Sequence, residues 1–234
     1  MARDRAKRVD RRATRGGSGL RQLPWRNHVN PYRPIEVVSE EQLEAIHDAS
    51  LRILEDIGMD FMHPEAHEIL AQEGVKITPG SDRVRLDRGL ILEKLKSVPG
   101  EVRLHARNPE RDITLGGAHV NFCSVASAPN ASDDDGGRRP GNYTDFQNFV
   151  RLGQAFNVIH TFGGYPVEPT DLPAATRHLD CLADFVRLSD KTFHAYSLGR
   201  QRIVDALEIV RIGRGIDRAR LAREPSLFTI INTN

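Results

Sequence analysis

The chain has 234 residues, 39% of them hydrophobic and 28% charged, which is ordinary for a water-soluble folded protein and enough to bury a sizeable core. No apolar run approaches the ~20 residues that span a bilayer, and no apolar core separates the N-terminal basic residues from a cleavage site, so neither a membrane span nor a secretory signal is expected. The formal charge of +1 hides an asymmetry: the first 26 residues carry nine Lys/Arg against Asp4 and Asp10, about +7, which leaves about −6 for the rest.

Residues 1–30 therefore read as a basic tail, ending its most polar part at Arg15-Gly16-Gly17-Ser18-Gly19, with too little apolar surface to order itself. No stacking aromatics interleave its charges, so the solvated-tail reading is preferred to an arm that grips nucleic acid. Order is expected from Pro31-Tyr32-Arg33-Pro34. Ser39 and Gln42 form a capping box that opens a helix. Leu43, Ile46, Ile53, Leu54 and Ile57 follow at helical spacing, and Gly58 stops it. Pro64 starts a second helix that ends near Gly74. Short strands are expected at Val75–Ile77 and Arg83–Leu86, around the Pro79-Gly80 turn. Asp87 caps a third helix with Leu90, Ile91 and Leu95 inward. Val102–His105 and Asp112–Leu115 alternate apolar and polar around Asn108-Pro109-Glu110, a hairpin signal. Residues 31–117 thus read as an α+β region.

From residue 118 the rhythm changes. Strands are expected at Val120–Cys123, Val158–Phe162, Thr192–Tyr196 and Leu227–Ile231. Helices are expected between them: one capped by Thr144 with Gln147, one opened by Asp171 and running through Leu188, and one through Ile203, Leu207 and Ile212. Alternation of strand and helix is the pattern of a parallel α/β sheet. A (β/α)8 barrel of TIM type needs about 250 residues, so residues 118–234 would supply about its first four βα units. An open doubly wound sheet has the same rhythm, but the first strand lacks its Gly-rich dinucleotide loop. Four strands cannot close a barrel, so the chain by itself is expected to self-associate and to be inactive.

Several residues have the chemistry of a site. His63 and His67 are four apart, but His63 precedes Pro64 and the glutamate is misplaced for a zincin, so no metal is expected there. Asp133-Asp134-Asp135-Gly136-Gly137 lacks the ligand spacing of a calcium loop, though it sits in the long loop Ser124–Asn142 after the first parallel strand. Gly163-Gly164-Tyr165 follows the second strand, His194 and Tyr196 end the third, and Asn232 and Asn234 end the fourth. Strand C-terminal ends are where barrel enzymes build their sites. Cys123 and Cys181 have no metal-type spacing and read as reduced core thiols, which fits a cytoplasmic protein.

Taken together, several segments resemble the N-terminal half of the trimethylamine methyltransferase family. They are the Arg-rich, Gly-containing tail, Tyr32-Arg33-Pro34-Ile35, Ser39–His47, Arg52–Gly58, the loop Gly136-Gly137-Arg138-Arg139-Pro140-Gly141, and Phe228–Asn234. The resemblance implies a (β/α)8 barrel that takes a methyl group from trimethylamine or a quaternary amine such as glycine betaine. The acceptor would be the cobalt of a separate corrinoid-binding protein, so no cofactor is expected on this chain itself. Some members carry pyrrolysine in the half that follows. A quaternary ammonium group neither donates nor accepts hydrogen bonds, so aromatic faces bind it best. Phe162, Tyr165 and Tyr196 are the expected wall, beside His194, and Asn130, Asn232 and Asn234 would hold a polar end of the substrate. No catalytic residue is named by the resemblance. A homo-oligomer in the full-length protein and a non-catalytic binding module with a basic arm both stay open.

Overall fold

The structure is a computed structural model that describes residues 20–231. The chain divides into two compact units, residues 31–100 and residues 20–30 with 101–231. A short strand, β1 (His28–Val29), opens the described chain and belongs to the second unit.

The smaller unit starts with α1 (Glu40–Arg52), where Ser39 and Gln42 exchange both capping-box hydrogen bonds as expected. The helix continues as a π-helical turn, Ile53–Ile57. It stops at Gly58, whose φ is +78° and where a Cβ would lie 2.3 Å from the Val84 carbonyl oxygen, so only glycine fits. Next come β2 (Met59–Asp60), α2 (Pro64–Gln72), β3 (Arg83–Val84) and α3 (Arg88–Leu95), with β2 and β3 antiparallel. Val75–Ile77 forms no strand. Two expected apolar faces are corrected: Leu43, Ile46, Ile53 and Ile57 are exposed while Leu51 is buried, and Leu95 is exposed on α3.

In the larger unit, β4 (Glu101–Leu104) and β5 (Ile113–Gly116) form the expected hairpin, followed by β6 (His119–Val120), which pairs antiparallel with β1. The unit boundary falls at Gly100 rather than 117, because the hairpin bonds onto the later strands. His105 N–H donates to the Pro225 carbonyl at 2.7 Å, and Arg107 donates to the Ser189 carbonyl at 3.1 Å. Residues 20–30 are also ordered here, contrary to the tail reading. Gln22 donates to the Ala155 carbonyl at 2.8 Å, and buried His160 bonds the Arg26 carbonyl at 2.9 Å. Trp25 packs edge-on to His160 at 5.8 Å with Arg111 over its ring, and this aromatic contact is what a charge count misses. The expectation for residues 1–19 lies outside the described residues.

Beyond β6 the chain makes a hairpin, β7 (Asn130–Asp133) and β8 (Gly137–Pro140), and then α4 (Tyr143–Ala155), β9 (Thr161–Phe162), α5 (Arg177–Leu188), β10 (Thr192–His194), α6 (Arg200–Arg214), α7 (Arg218–Arg223) and β11 (Leu227–Phe228). Two helix starts are corrected. Asn142 with Asp145 makes the capping box of α4, because Arg139 holds the Asp145 carboxylate and Gln147 is drawn away to Asp184 at 2.7 Å. Asp171 does not open α5, since Leu172 precedes Pro173 and is held out of the helical region; Asp171 instead accepts from Tyr143 N–H at 2.8 Å.

β9, β10 and β11 are parallel, and Cys123 bridges Thr161 in parallel on the outer side of β9. The order Cys123–β9–β10–β11 follows the chain, without the reversal that marks the switch point of a doubly wound sheet. The fold is mixed α/β, and no closed barrel forms among the described residues. Phe162 and Phe193 are cross-strand partners and both meet Phe185 of α5, at 4.9 and 5.1 Å between ring centroids. With Phe146, Val150, Leu182 and Val210 they fill the core between sheet and helices. Because neighbouring strand residues point to opposite faces, Thr161, Thr192 and His194 lie on the face away from those helices.

Candidate functional site

The C-terminal ends of the parallel strands gather a serine-rich loop, two glycines, two tyrosines and a histidine. After Cys123 the chain runs over the ends of β9 and β10. Ser124 accepts from Gly163 N–H at 3.3 Å, Ser127 N–H donates to the Tyr165 carbonyl at 2.7 Å, and Glu168 N–H donates to the Ala128 carbonyl at 2.8 Å. The Tyr196 hydroxyl lies between Ser127 Oγ, at 2.5 Å, and Tyr165 N–H, which donates to it at 3.1 Å. One hydroxyl therefore links the loop after the Cys123 bridge with the loops that follow β9 and β10. Gly164 is glycine for that reason: its φ is +147° and a Cβ would lie 2.2 Å from the Tyr196 hydroxyl oxygen.

The aromatic faces meet edge to face. The Tyr165 and Tyr196 rings are 4.8 Å apart at 77°, and His194 and Tyr196 are 4.9 Å apart at 82°. Tyr165 is buried, and burial pushes its hydroxyl pKa well above the usual phenol range. His194 Nε2 accepts from Ile230 N–H at 3.2 Å, so the neutral ring carries its proton on Nδ1, which is buried without a partner among the described residues. Burial lowers the His194 pKa and keeps the ring neutral near pH 7.

Not every expected site residue comes to this end. Phe162 is completely buried on the helix side, packed against Phe185 and Gly153, and leaves the expected wall. Asn130 is half-buried at the start of β7, beyond the loop residues that touch Tyr165. Asn232 and Asn234 lie outside the described residues. The Asp133–Asp135 acids form the tip of the β7–β8 hairpin, where Gly136 N–H and then Arg139 hold the Asp133 carboxyl below its usual pKa. His63 caps α2 by accepting from Glu65 N–H. Among the described residues no group of three His, Cys, Asp or Glu is placed to hold a metal. Cys181 is buried, and burial pushes its thiol up to about 12, as suits a core thiol. Cys123 is exposed, which corrects the core reading; it lies on the open side of β9, with no strand beyond it among the described residues.

Ser124, Ser127 and Lys191 carry roles that the sequence reading missed. A serine in a long polar loop has no local signature, and only the register of the loop against β9 and β10 reveals the two here. Lys191, just before β10, is buried and donates to the Gly153 and Phe156 carbonyls at 2.6 and 2.8 Å, which caps the C-terminal end of α4. Burial lowers its pKa to about 8. Lys191 also lines a small pocket at the N-terminal end of the strands, with His105, Arg107, Ser189, Arg214 and Ser226. Its cationic side chains are already bonded to protein: Arg107 to Ser189, and Arg214 to Ser226 and Glu224.

The chain matches the family described as Trimethylamine methyltransferase (MTTB) over residues 4–234. A protein named Glycine betaine methyltransferase, from Desulfitobacterium hafniense (strain Y51), is 36% identical over 197 residues, covering 84% of this chain and 40% of the relative. One named Trimethylamine methyltransferase MttB, from Desulfitobacterium hafniense (strain DSM 10664 / DCB-2), is 33% identical over 95 residues, covering 41% of this chain and 19% of that protein. This chain thus spans two fifths or less of the length of the curated relatives it matches. Among the described residues no helix is long and apolar enough to cross a membrane.

Proposed function

Because this chain belongs to the trimethylamine methyltransferase family, we propose that its protein takes a methyl group from a tertiary or quaternary methylated amine, with glycine betaine and trimethylamine as the leading substrates. In this reading Cys123, β9, β10 and β11 are the first strands of a (β/α)8 barrel, consistent with their parallel, chain-ordered arrangement. The protein acts in the cytoplasm, with a corrinoid-binding protein as its partner. The electron pair that receives the methyl group comes from that partner's reduced corrinoid, and the C–N pair leaves with the amine nitrogen.

The observation that carries the reading is the half-buried ring of Tyr196, held edge to face against buried Tyr165 and a neutral His194 at the C-terminal ends of the strands. Tyrosine faces attract an ammonium group that no hydrogen bond can hold. Neutral His194 adds no repelling charge beside it. A quaternary nitrogen leaves as a neutral amine, so the chemistry requires no general acid. What these residues provide is orientation and shelter from water. Asn130, and Asn232 and Asn234 beyond the described residues, would bind a polar end of the substrate.

The test uses the full-length protein with a reduced corrinoid acceptor. Demethylation of glycine betaine or trimethylamine is expected, and Tyr196→Ala should weaken quaternary amine binding by about 0.5–2 kcal/mol. No demethylation of either amine, with the acceptor shown to be competent, would contradict the activity. Unchanged binding in Tyr196→Ala would remove Tyr196 from the site.

A further inference from the structure

We propose that Ser127 is a positioning residue, acting through the Tyr196 hydroxyl to fix the aromatic wall of the amine site. The proposal rests on the methylamine reading above and says which atoms make that wall rigid.

Three observations support it. The Tyr196 hydroxyl is held from two sides, by Ser127 Oγ at 2.5 Å and by Tyr165 N–H at 3.1 Å. A tyrosine with its hydroxyl fixed cannot swing, so the ring keeps its edge-to-face angles of 77° to Tyr165 and 82° to His194. Second, Ser127 has φ +52° and is the only residue other than glycine with a positive φ among the described residues. A left-handed serine is strained, and such strain persists where surrounding bonds over-determine it. Here those bonds are the one to Tyr196 and Ser127 N–H to the Tyr165 carbonyl at 2.7 Å. Third, Gly164 is shaped around the same hydroxyl, since any Cβ there would strike it. The loops after the Cys123 bridge, β9 and β10 thus converge on one oxygen.

The clasp gives Tyr196 two separable parts. Its ring face can attract a cation, and its hydroxyl holds the ring and the Ser124–Ala128 segment in place. A wall fixed before binding loses less freedom when the substrate arrives, so the clasp should raise affinity without touching the ammonium group. Phenylalanine at 196 keeps the ring and removes only the clasp.

The experiment measures glycine betaine affinity by calorimetry on the full-length protein, as wild type, Tyr196→Phe, Ser127→Ala, Ser127→Gly and the Tyr196→Phe/Ser127→Ala double variant. Thermal unfolding of each is measured in parallel. Each single variant is expected to lose affinity by about tenfold, the equivalent of about one hydrogen bond. The double variant should be no weaker than the worse single, because both remove the same bond. Ser127→Gly relieves the strain yet lacks the hydroxyl, so it should bind as weakly as Ser127→Ala. Wild-type affinity in Tyr196→Phe, full additivity in the double variant, or wild-type affinity in Ser127→Gly would each overturn the clasp while leaving the methylamine reading in place. An affinity loss that only tracks a fall in unfolding temperature would reduce Ser127 to a structural role and overturn it as well. If wild type binds neither glycine betaine nor tetramethylammonium, the methylamine reading fails and the positioning role falls with it.

Discussion

The two ends of the parallel sheet are built in opposite ways. At the N-terminal end, the β4–β5 hairpin seals the strands with backbone bonds to Pro225 and Asp190, and Lys191 fills the end of α4. At the C-terminal end there are two glycines, a left-handed serine, three edge-to-face rings, and exposed Val125, Leu198 and Ile230. One end ties hairpin backbone and the Lys191 ammonium into bonds with Pro225, Asp190 and the end of α4. The other keeps strain, a His194 Nδ1 with no partner among the described residues, and apolar surface that a stability argument alone would eliminate. The contrast teaches which end the fold was built to hold still and which it was built to use.

The contrast breaks most visibly at Lys191. Lys191→Met would leave two helix-end carbonyls without a donor and should cost about 3 kcal/mol in chemical denaturation, with glycine betaine affinity unchanged once folded. Burial lowers the Lys191 ammonium from 10.5 to about 8. Between those values the unfolded chain holds a proton that the folded chain has released, so wild-type stability should rise with pH across the window, by at most about 1.4 kcal/mol per unit. Lys191→Met cannot titrate and should lack that rise. A flat wild-type profile, or a loss of amine affinity in Lys191→Met, would blur the division between the two ends.

A smaller effect is expected at the hairpin. Asn108 donates to the Asp190 carboxylate at 3.1 Å and accepts from Glu110 N–H at 3.1 Å. Asn108→Ala should cost about 1 kcal/mol, as one capping or hydrogen-bond loss does. Denaturant titration reads it, and no effect would mean that the hairpin is only laid against the sheet.

The smallest effect is local and depends on pH. His160 Nδ1 accepts from Phe122 N–H at 2.9 Å, so the neutral ring donates from Nε2 to the Arg26 carbonyl. Burial lowers its pKa below 6.5. Its stabilising contribution is therefore complete above pH 6.5 and is lost as pH falls through the lowered value, because protonation ends the bond from Phe122. Amide exchange in residues 22–30, corrected for intrinsic rates, should speed up in that acidic range, and a His160→Gln variant should not show the change. Equal pH response in both would detach His160 from the ordering of this segment.

Much of this architecture was legible in the chain itself. Ser39 with Gln42, Pro64, Asp87 and the Asn108-Pro109 turn act through neighbours a few residues away, so local chemistry is enough to read them. The start of α4 was less legible because Asn142/Asp145 and Thr144/Gln147 are rival capping boxes, and partners far along the chain, Asp184 among them, decide between them. At the site, Tyr165, His194 and Tyr196 were visible as strand-end residues. Phe162 was misplaced because a period of two separates the faces without saying which one the helices cover. Ser127 and Lys191 were invisible, since each acts on a carbonyl or hydroxyl that only the fold brings near.

In the proposed function, the C-terminal ends of the strands bind the methylated amine. Hydrogen–deuterium exchange on the full-length protein, with and without saturating glycine betaine, tests it directly. New protection is expected in residues 124–128, 163–166 and 194–198, and none in residues 105–112 or 189–191. Protection confined to the hairpin end, or none anywhere under conditions where binding is measured, would contradict it.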